Sequence, residues 1–214
     1  INKGTHKAIN RFCSFAYEVS QNNTRTCWVL KCDIRKFFEN IDHEILLRIL
    51  SEYIPDENII WLLQRVIGSF SKAPGRGLPL GNLTSQLFVN IYMNKFDQFV
   101  KHKLKIKLYL RYADDFAILS DSKESLISLL PKMTEFLQNE LGLEMHPKKI
   151  FLKTLASGMD YLGWVNFPDH RVLRNVTKRR MIKRVSDNPK VEVLQSYLGL
   201  LRHGNAFKLK KLMF

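Results

Sequence analysis

From Lys107 to Tyr112 the side chains alternate with period two, and two adjacent acids, Asp114 and Asp115, separate them from a second apolar stretch. Leu108, Leu110 and Tyr112 fall on one side, Lys107, Tyr109 and Arg111 on the other, and Phe116 to Leu119 resumes as an apolar run. The spacing predicts an antiparallel hairpin with two carboxylates near its tip. Such a ribbon is stable only when its apolar face lies on another layer. The segments around it have the helical period.

Residues 3–19 carry Ala8, Ile9, Phe12, Phe15, Ala16 and Val19 at helical spacing, with Thr5 as a cap. Trp28, Val29 and Leu30 lead to Asp33 and Ile34 in a short strand-like run. Asp42, His43 and Glu44 open an amphipathic helix through Leu50, and residues 56–69 gather Ile59, Ile60, Leu63, Val66 and Ile67 on one helical face after Pro55. Residues 73–81 hold three Gly and two Pro and must be irregular; they run into a helix capped by Asn82, with Leu83, Leu87, Ile91 and Phe96 as its expected buried face. Beyond the hairpin, Asp121 and Ser122 cap a helix that Gly142 ends. Short strands are expected at 143–145, 150–152, 161–167 and 171–173, with a turn at Pro168-Asp169-His170 and a helical tail. The interleaving gives an α+β class with helices on one face of a small antiparallel sheet.

Composition narrows the partners. With 45% hydrophobic and 25% charged residues in 214, the chain is of the ordinary globular kind. It has no run approaching the roughly 18 apolar residues of a membrane span, so no membrane partner is expected. Lys and Arg exceed Asp and Glu by 34 − 20 = 14, an imbalance most useful when a polyanion neutralises it. Residues 101–111 (Lys101, Lys103, Lys105, Lys107, Arg111) and 171–184 (Arg171, Arg174, Lys178, Arg179, Arg180, Lys183, Arg184) contain no acid, which suits contacts to phosphate. Cys13, Cys27 and Cys32 are odd in number and lack CxxC spacing; buried free thiols in a reducing, cytoplasmic setting are expected, without a disulfide framework or zinc site.

A third acid, Asp33, ends the other apolar strand. A sheet that sets this strand beside the hairpin brings three carboxylates to one point, where they repel unless a divalent cation lies between them. Two Mg²⁺ ions about 3.5–4 Å apart on such carboxylates stabilise the attacking and leaving oxygens of a phosphoryl displacement, and Mn²⁺ can substitute. His43 beside Asp42 reads as a cap or packing residue. The glycine-rich loop lacks the Gly-Lys-Ser/Thr of a nucleotide-binding P-loop.

In order, Asp33-Ile34-Arg35-Lys36-Phe37-Phe38, Gly77-Leu78-Pro79-Leu80-Gly81-Asn82-Leu83-Thr84-Ser85-Gln86 and Tyr112-Ala113-Asp114-Asp115 resemble the first three palm motifs of reverse transcriptases. Residues 142–149 resemble the fourth, and Tyr161-Leu162-Gly163-Trp164 the primer-grip hairpin. Within that superfamily the Leu-Gly-Asn-Leu-Thr-Ser-Gln stretch, the opening Asn2-Lys3-Gly4-Thr5 and Ser196-Tyr197-Leu198-Gly199 look most like diversity-generating retroelement enzymes. Group II intron, retron and phage-defence enzymes, or a non-catalytic nucleic-acid-binding palm fragment, are the alternatives.

The resemblance implies a right-hand polymerase palm built on a ferredoxin-like antiparallel sheet, with partial fingers and a short helical thumb. It divides the chain into 1–32 (partial fingers and entrance to the palm), 33–170 (palm, with inserted fingers helices at about 42–75) and 171–214 (start of the thumb). It implies an RNA-directed DNA polymerase with an RNA template, a DNA or RNA primer, dNTPs and a basic accessory protein of the retroelement as partners. Asp33, Asp114 and Asp115 would be catalytic and hold the metals, and the Ile34 carbonyl would complete one coordination shell. Phe38 would be the steric gate against a 2′-hydroxyl, Leu80 and Gly81 would lie against the nucleotide, and Lys149 would meet the triphosphate. Ser85, Gln86, Tyr161, Leu162, Gly163, Trp164, Arg179 and Arg180 would contact primer or template. Leu80 stands where many of these enzymes carry Gln, which in the retroelement family goes with error-prone copying. The family places a basic fingers hairpin upstream of residues 2–5, so a sequence that begins at Ile1 reads as a fragment lacking part of its nucleotide site.

Overall fold

The computed structural model describes residues 4–211. In chain order the elements are α1 (Thr5–Val19), β1 (Trp28–Asp33), α2 (Phe37–Asn40), α3 (His43–Ser51), α4 (Glu57–Gly68) and α5 (Leu83–Gln98), which continues into a π-helical turn, Phe99–Lys103. The hairpin β2 (Tyr109–Tyr112) and β3 (Asp115–Ser120) follows, then α6 (Lys123–Leu141), a 3₁₀ turn Pro147–Lys149 and β4 (Phe151–Thr154). The chain continues through β5 (Met159–Tyr161), β6 (Trp164–Asn166), β7 (Arg171–Leu173), α7 (Asn175–Asp187), α8 (Val191–Leu201) and α9 (Phe207–Lys211). Among the described residues no helix is long and apolar enough to cross a membrane.

Four strands form one sheet in the order β2-β3-β1-β4, and β5-β6-β7 form a second, antiparallel one. Helices lie between β1 and β2, and α6 between β3 and β4, so the first sheet has the order and connections of the ferredoxin-like β-α-β-β-α-β unit. This is the α+β palm the sequence suggested. The chain falls into two compact units: a first drawn from the chain up to Val29, Leu119–Ser122 and the chain from Leu152 on, and a second drawn from Leu30–Ile118 and Lys123–Phe151.

In the second unit α5 covers the hairpin. Phe96 meets Phe116 and Tyr109 edge-on, and Phe99 stacks on Phe136 of α6 at 4.2 Å between ring centres. The Tyr92 hydroxyl donates to the Leu141 carbonyl at 2.6 Å, fastening α5 to the end of α6. In the first unit Ile9, Trp164, Leu173, Met181, Leu201, Ala206 and Leu209 form one buried cluster. Tyr161 stacks on Phe12 of α1 beside it.

Several expectations need correction. The N-cap of α1 is Gly4, not Thr5. Residues 143–145 contribute a single bridge, Ile34 to Met145, and 161–167 is not one strand but parts of β5 and β6 joined at Leu162-Gly163. Of the apolar face drawn for α4 only Ile67 is buried, while Ile59 and Val66 are exposed. On α5 the inward face is Ser85, Phe88, Val89, Tyr92, Met93 and Phe96, and Leu83 and Leu87 face out. Periodicity finds an apolar stripe but not whether another element covers it, and α5 carries two. Cys27 and Cys32 are buried free thiols pushed up to about 12 by burial, whereas Cys13 is exposed.

Candidate active site

Asp33 is the last residue of β1, and the chain beyond it is pinned by the segment after α6. The His146 N–H donates to the Asp33 carbonyl at 2.7 Å, the Arg35 N–H donates to the Glu144 carbonyl at 2.8 Å, and Ile34 and Met145 bridge between them. The His146 ring accepts from the Lys148 N–H, capping the 3₁₀ turn, and that turn delivers Lys149 back to Asp33. The Lys149 ammonium meets both carboxylate oxygens of Asp33, at 2.9 and 3.0 Å. That contact holds the lysine above its ordinary value. Ile34 itself is buried.

The hairpin register pairs Tyr112 with Asp115 and leaves Ala113 and Asp114 as a two-residue turn. Ala113 is left-handed, at φ 55°. Burial pushes the Asp114 carboxyl up, and the charges of Asp33 and Asp115 push it further; its backbone hydrogen bond and Lys149 oppose them. The three acids therefore share one electrostatic neighbourhood, as β1 beside β3 requires. Asp115 also has a cation: the Lys31 ammonium lies 3.2 Å from its Oδ1, with both side chains mostly buried. Lys31 was missed in the sequence, although the two-residue period of β1 puts it on the same face as Asp33.

Among the described residues no three acidic, imidazole or thiol groups form a closed metal cage. The donor chemistry nonetheless fits a hard divalent cation. Two of the three carboxylates are already matched to ammonium groups, and burial together with the charges of the other two raises the pKa of Asp114, a penalty that a bound cation would relieve.

The irregular loop is tied to the same unit. Leu78 N–H donates to the Phe38 carbonyl and Gly77 N–H to that of Ile41, and the buried His43 bonds the Gly77 carbonyl at 2.7 Å. His43 is thus a packing residue. Phe37 is buried and meets Phe38 edge-on, leaving Phe38 half-exposed. Gly81 has φ 91°, and a Cβ there would meet nothing within 4 Å, so its backbone faces open space in a conformation that favours glycine. Leu80 beside it is exposed. Ser85, by contrast, is 1% exposed, which corrects the expectation that it touches template; Gln86 faces out.

Residues 2–165 match the reverse transcriptase (RNA-dependent DNA polymerase) family. The chain belongs to that family. It is 24% identical over 205 residues to protein YkfC of Escherichia coli, spanning 78% of this chain and 52% of that protein. It is 24% identical over 238 residues to the group II intron-encoded protein LtrA of Lactococcus lactis, spanning 78% of this chain and 39% of LtrA. The chain therefore covers about half or less of these relatives. Apo telomerase of Candida tropicalis, truncated from its C-terminal domain, has the same fold over 81% of this chain and 40% of its own, with a TM-score of 0.61 at 17% identity.

In this reverse transcriptase chain the turn that resembles the primer-grip hairpin, residues 161–164, and α7 lie in the first unit. Tyr161 and Trp164 are fully buried, so their rings serve the core and cannot touch a primer; Leu162 (φ 51°) and Gly163 (φ 88°) form the half-exposed turn between β5 and β6. Arg179 and Arg180 are exposed on α7, whose one buried residue is Met181. Two other arginines of the basic blocks are not free for phosphate. Arg171 binds the side chain of Asn10 and the carbonyl of His203, and Arg111 is paired with Asp97.

Proposed function

We propose that this chain carries the polymerase centre of an RNA-directed DNA polymerase, adding dNTPs to a primer 3′-hydroxyl on an RNA template. The observation that carries the reading is the electrostatic contact of Asp33 with the Ala113-Asp114-Asp115 turn, each outer acid matched by a lysine. Asp33, Asp114 and Asp115 would hold Mg²⁺ or Mn²⁺, with the Ile34 carbonyl beside them. Bound there, two such ions supply the positive charge that acidifies the 3′-hydroxyl and neutralises the triphosphate.

The remaining roles belong to the protein's own groups. Lys149, an ammonium held at Asp33, is the proton donor for departing pyrophosphate. Phe38, braced by Phe37, is the gate against a ribose 2′-hydroxyl. Gly81 leaves room for the nucleotide. Leu162 and Gly163 offer backbone to the primer, Gln86 contacts template, and Arg179 and Arg180 offer charge to duplex phosphates. The division into fingers, palm and thumb follows the same assignment. The finer reading, error-prone copying of the diversity-generating retroelement type with a basic accessory protein as partner, rests on the motif resemblance and on Leu80, in place of Gln, lying exposed beside Gly81.

Primer extension by the full-length gene product on a homopolymer RNA with four dNTPs tests the reading. Extension that Asp114→Asn abolishes, with folding preserved, is the expected result. Undiminished extension by that variant would overturn it.

A further inference from the structure

Arg111 lies on β2, two residues before the acidic turn, and its side chain is 8% exposed. Its Nε donates to Oδ1 of Asp97 at 2.9 Å and its Nη2 to Oδ2 at 2.8 Å, a two-pronged pairing. The third nitrogen, Nη1, donates to the Ala113 carbonyl at 3.0 Å and reaches the Asn90 side-chain oxygen at 3.4 Å. The Tyr109 hydroxyl donates to Asp97 Oδ1 at 2.6 Å, so the carboxylate is held from both strand positions that face α5.

Core stability alone does not call for this cluster. A largely buried ion pair is no more stabilising, as a rule, than apolar residues of the same size. What the cluster does hold is the carbonyl of Ala113. That residue is left-handed without being glycine, a conformation that persists only where the surroundings fix it.

We propose that Arg111 is a positioning residue of the polymerase centre: anchored on Asp97, it fixes the Ala113 carbonyl and with it the turn that aims Asp114 and Asp115. The inference rests on the polymerase reading above. It uses the planar fork of arginine, whose separate nitrogens reach the carboxylate and the carbonyl from fixed positions, whereas a lysine would offer a single nitrogen on a flexible stem. In the sequence Arg111 looked like one member of a basic block, and Asp97 gave no signal.

The test uses full-length protein with Arg111→Lys, and Asp97→Asn as a milder second variant. Primer extension is followed together with Mn²⁺ binding by electron paramagnetic resonance without nucleic acid. With the turn misaimed, kcat falls on the order of 10–100-fold. The KM for dNTP stays within about twofold, since that would be uniform binding left intact. Mn²⁺ affinity falls with kcat, and Asp97→Asn shows the same pattern more weakly. A purely structural role predicts a lower melting temperature with kcat per folded molecule and Mn²⁺ affinity unchanged, and that result in an active parent overturns the proposal alone. A parent that extends no primer overturns the polymerase reading. Weakened Mn²⁺ binding by Arg111→Lys would then still uphold the aiming of the carboxylates, and unchanged binding would overturn both.

Discussion

Trp164 separates a core role from a primer contact. Its side chain is 1% exposed, and it lies in the cluster that joins α1, β6, β7, α7, α8 and α9. Gly204 approaches so closely that a Cβ there would sit 2.1 Å from the indole Cζ3. Trp164→Ala therefore removes a fully enclosed ring, at about 3–5 kcal/mol. At about 2–4 °C per kcal/mol for a chain of this length, the melting temperature should fall by roughly 6–20 °C. Gly204→Ala attacks the same packing from the other side by overfilling it, at about 1–3 kcal/mol. Both variants are measured by thermal denaturation followed by circular dichroism. Binding of a fluorescent primer–RNA duplex is measured well below either transition. The expected pattern is lower stability with duplex affinity nearly unchanged. An unchanged melting temperature with duplex binding weakened tenfold would mean that the ring meets the primer, and the core assignment would be refuted.

Two further outcomes follow from exposed residues. Removing Arg179 and Arg180 together should make the fall of log K with log salt shallower, by about one unit of slope for each phosphate the pair neutralises. A parent whose duplex binding ignores salt would contradict the polyanion reading. Phe38→Ala should erode discrimination against ribonucleotides, a hydroxyl-sized rejection on the order of 10²-fold, while dNTP incorporation persists; unaltered discrimination would remove Phe38 from the gate.

The hairpin, its acidic tip and the strand ending in Asp33 were legible because a two-residue period states which positions share a face. The helix starts at Asp42 and after Pro55 were equally plain, and in the structure the Asp42 and Asp56 side chains each accept from the backbone N–H groups two and three positions on. Partnership was not legible. Leu83 and Leu87 have the spacing of a buried stripe yet lose the interior to Phe88, Val89, Tyr92 and Met93, and of that stripe Phe96 is buried. Nothing local distinguishes two apolar faces of one helix. Ser85 went inside with the aromatic residues. Motif position suggested primer contacts for Tyr161 and Trp164, but the size of their rings sent them to the core. Lys31 and Arg111 counted as surplus charge until their acids, brought near by the sheet and by α5, became visible.

Metal binding by the acids tests the central claim most directly. The folded state holds a proton on Asp114 more tightly than the unfolded chain does, because burial and the neighbouring acids raise its pKa. Ionising it as pH rises above the ordinary carboxylate range costs folded-state stability, so Asp114→Asn should be no less stable than the parent at neutral pH. A divalent cation competes with that proton. Mn²⁺ affinity of the parent, read by electron paramagnetic resonance, should climb as pH rises through the raised Asp114 value and level off above it. Asp33→Asn and Asp114→Asn should each weaken binding severely. Binding that is unaltered in both variants, at every pH, would place the metal elsewhere and contradict a polymerase centre on these three aspartates.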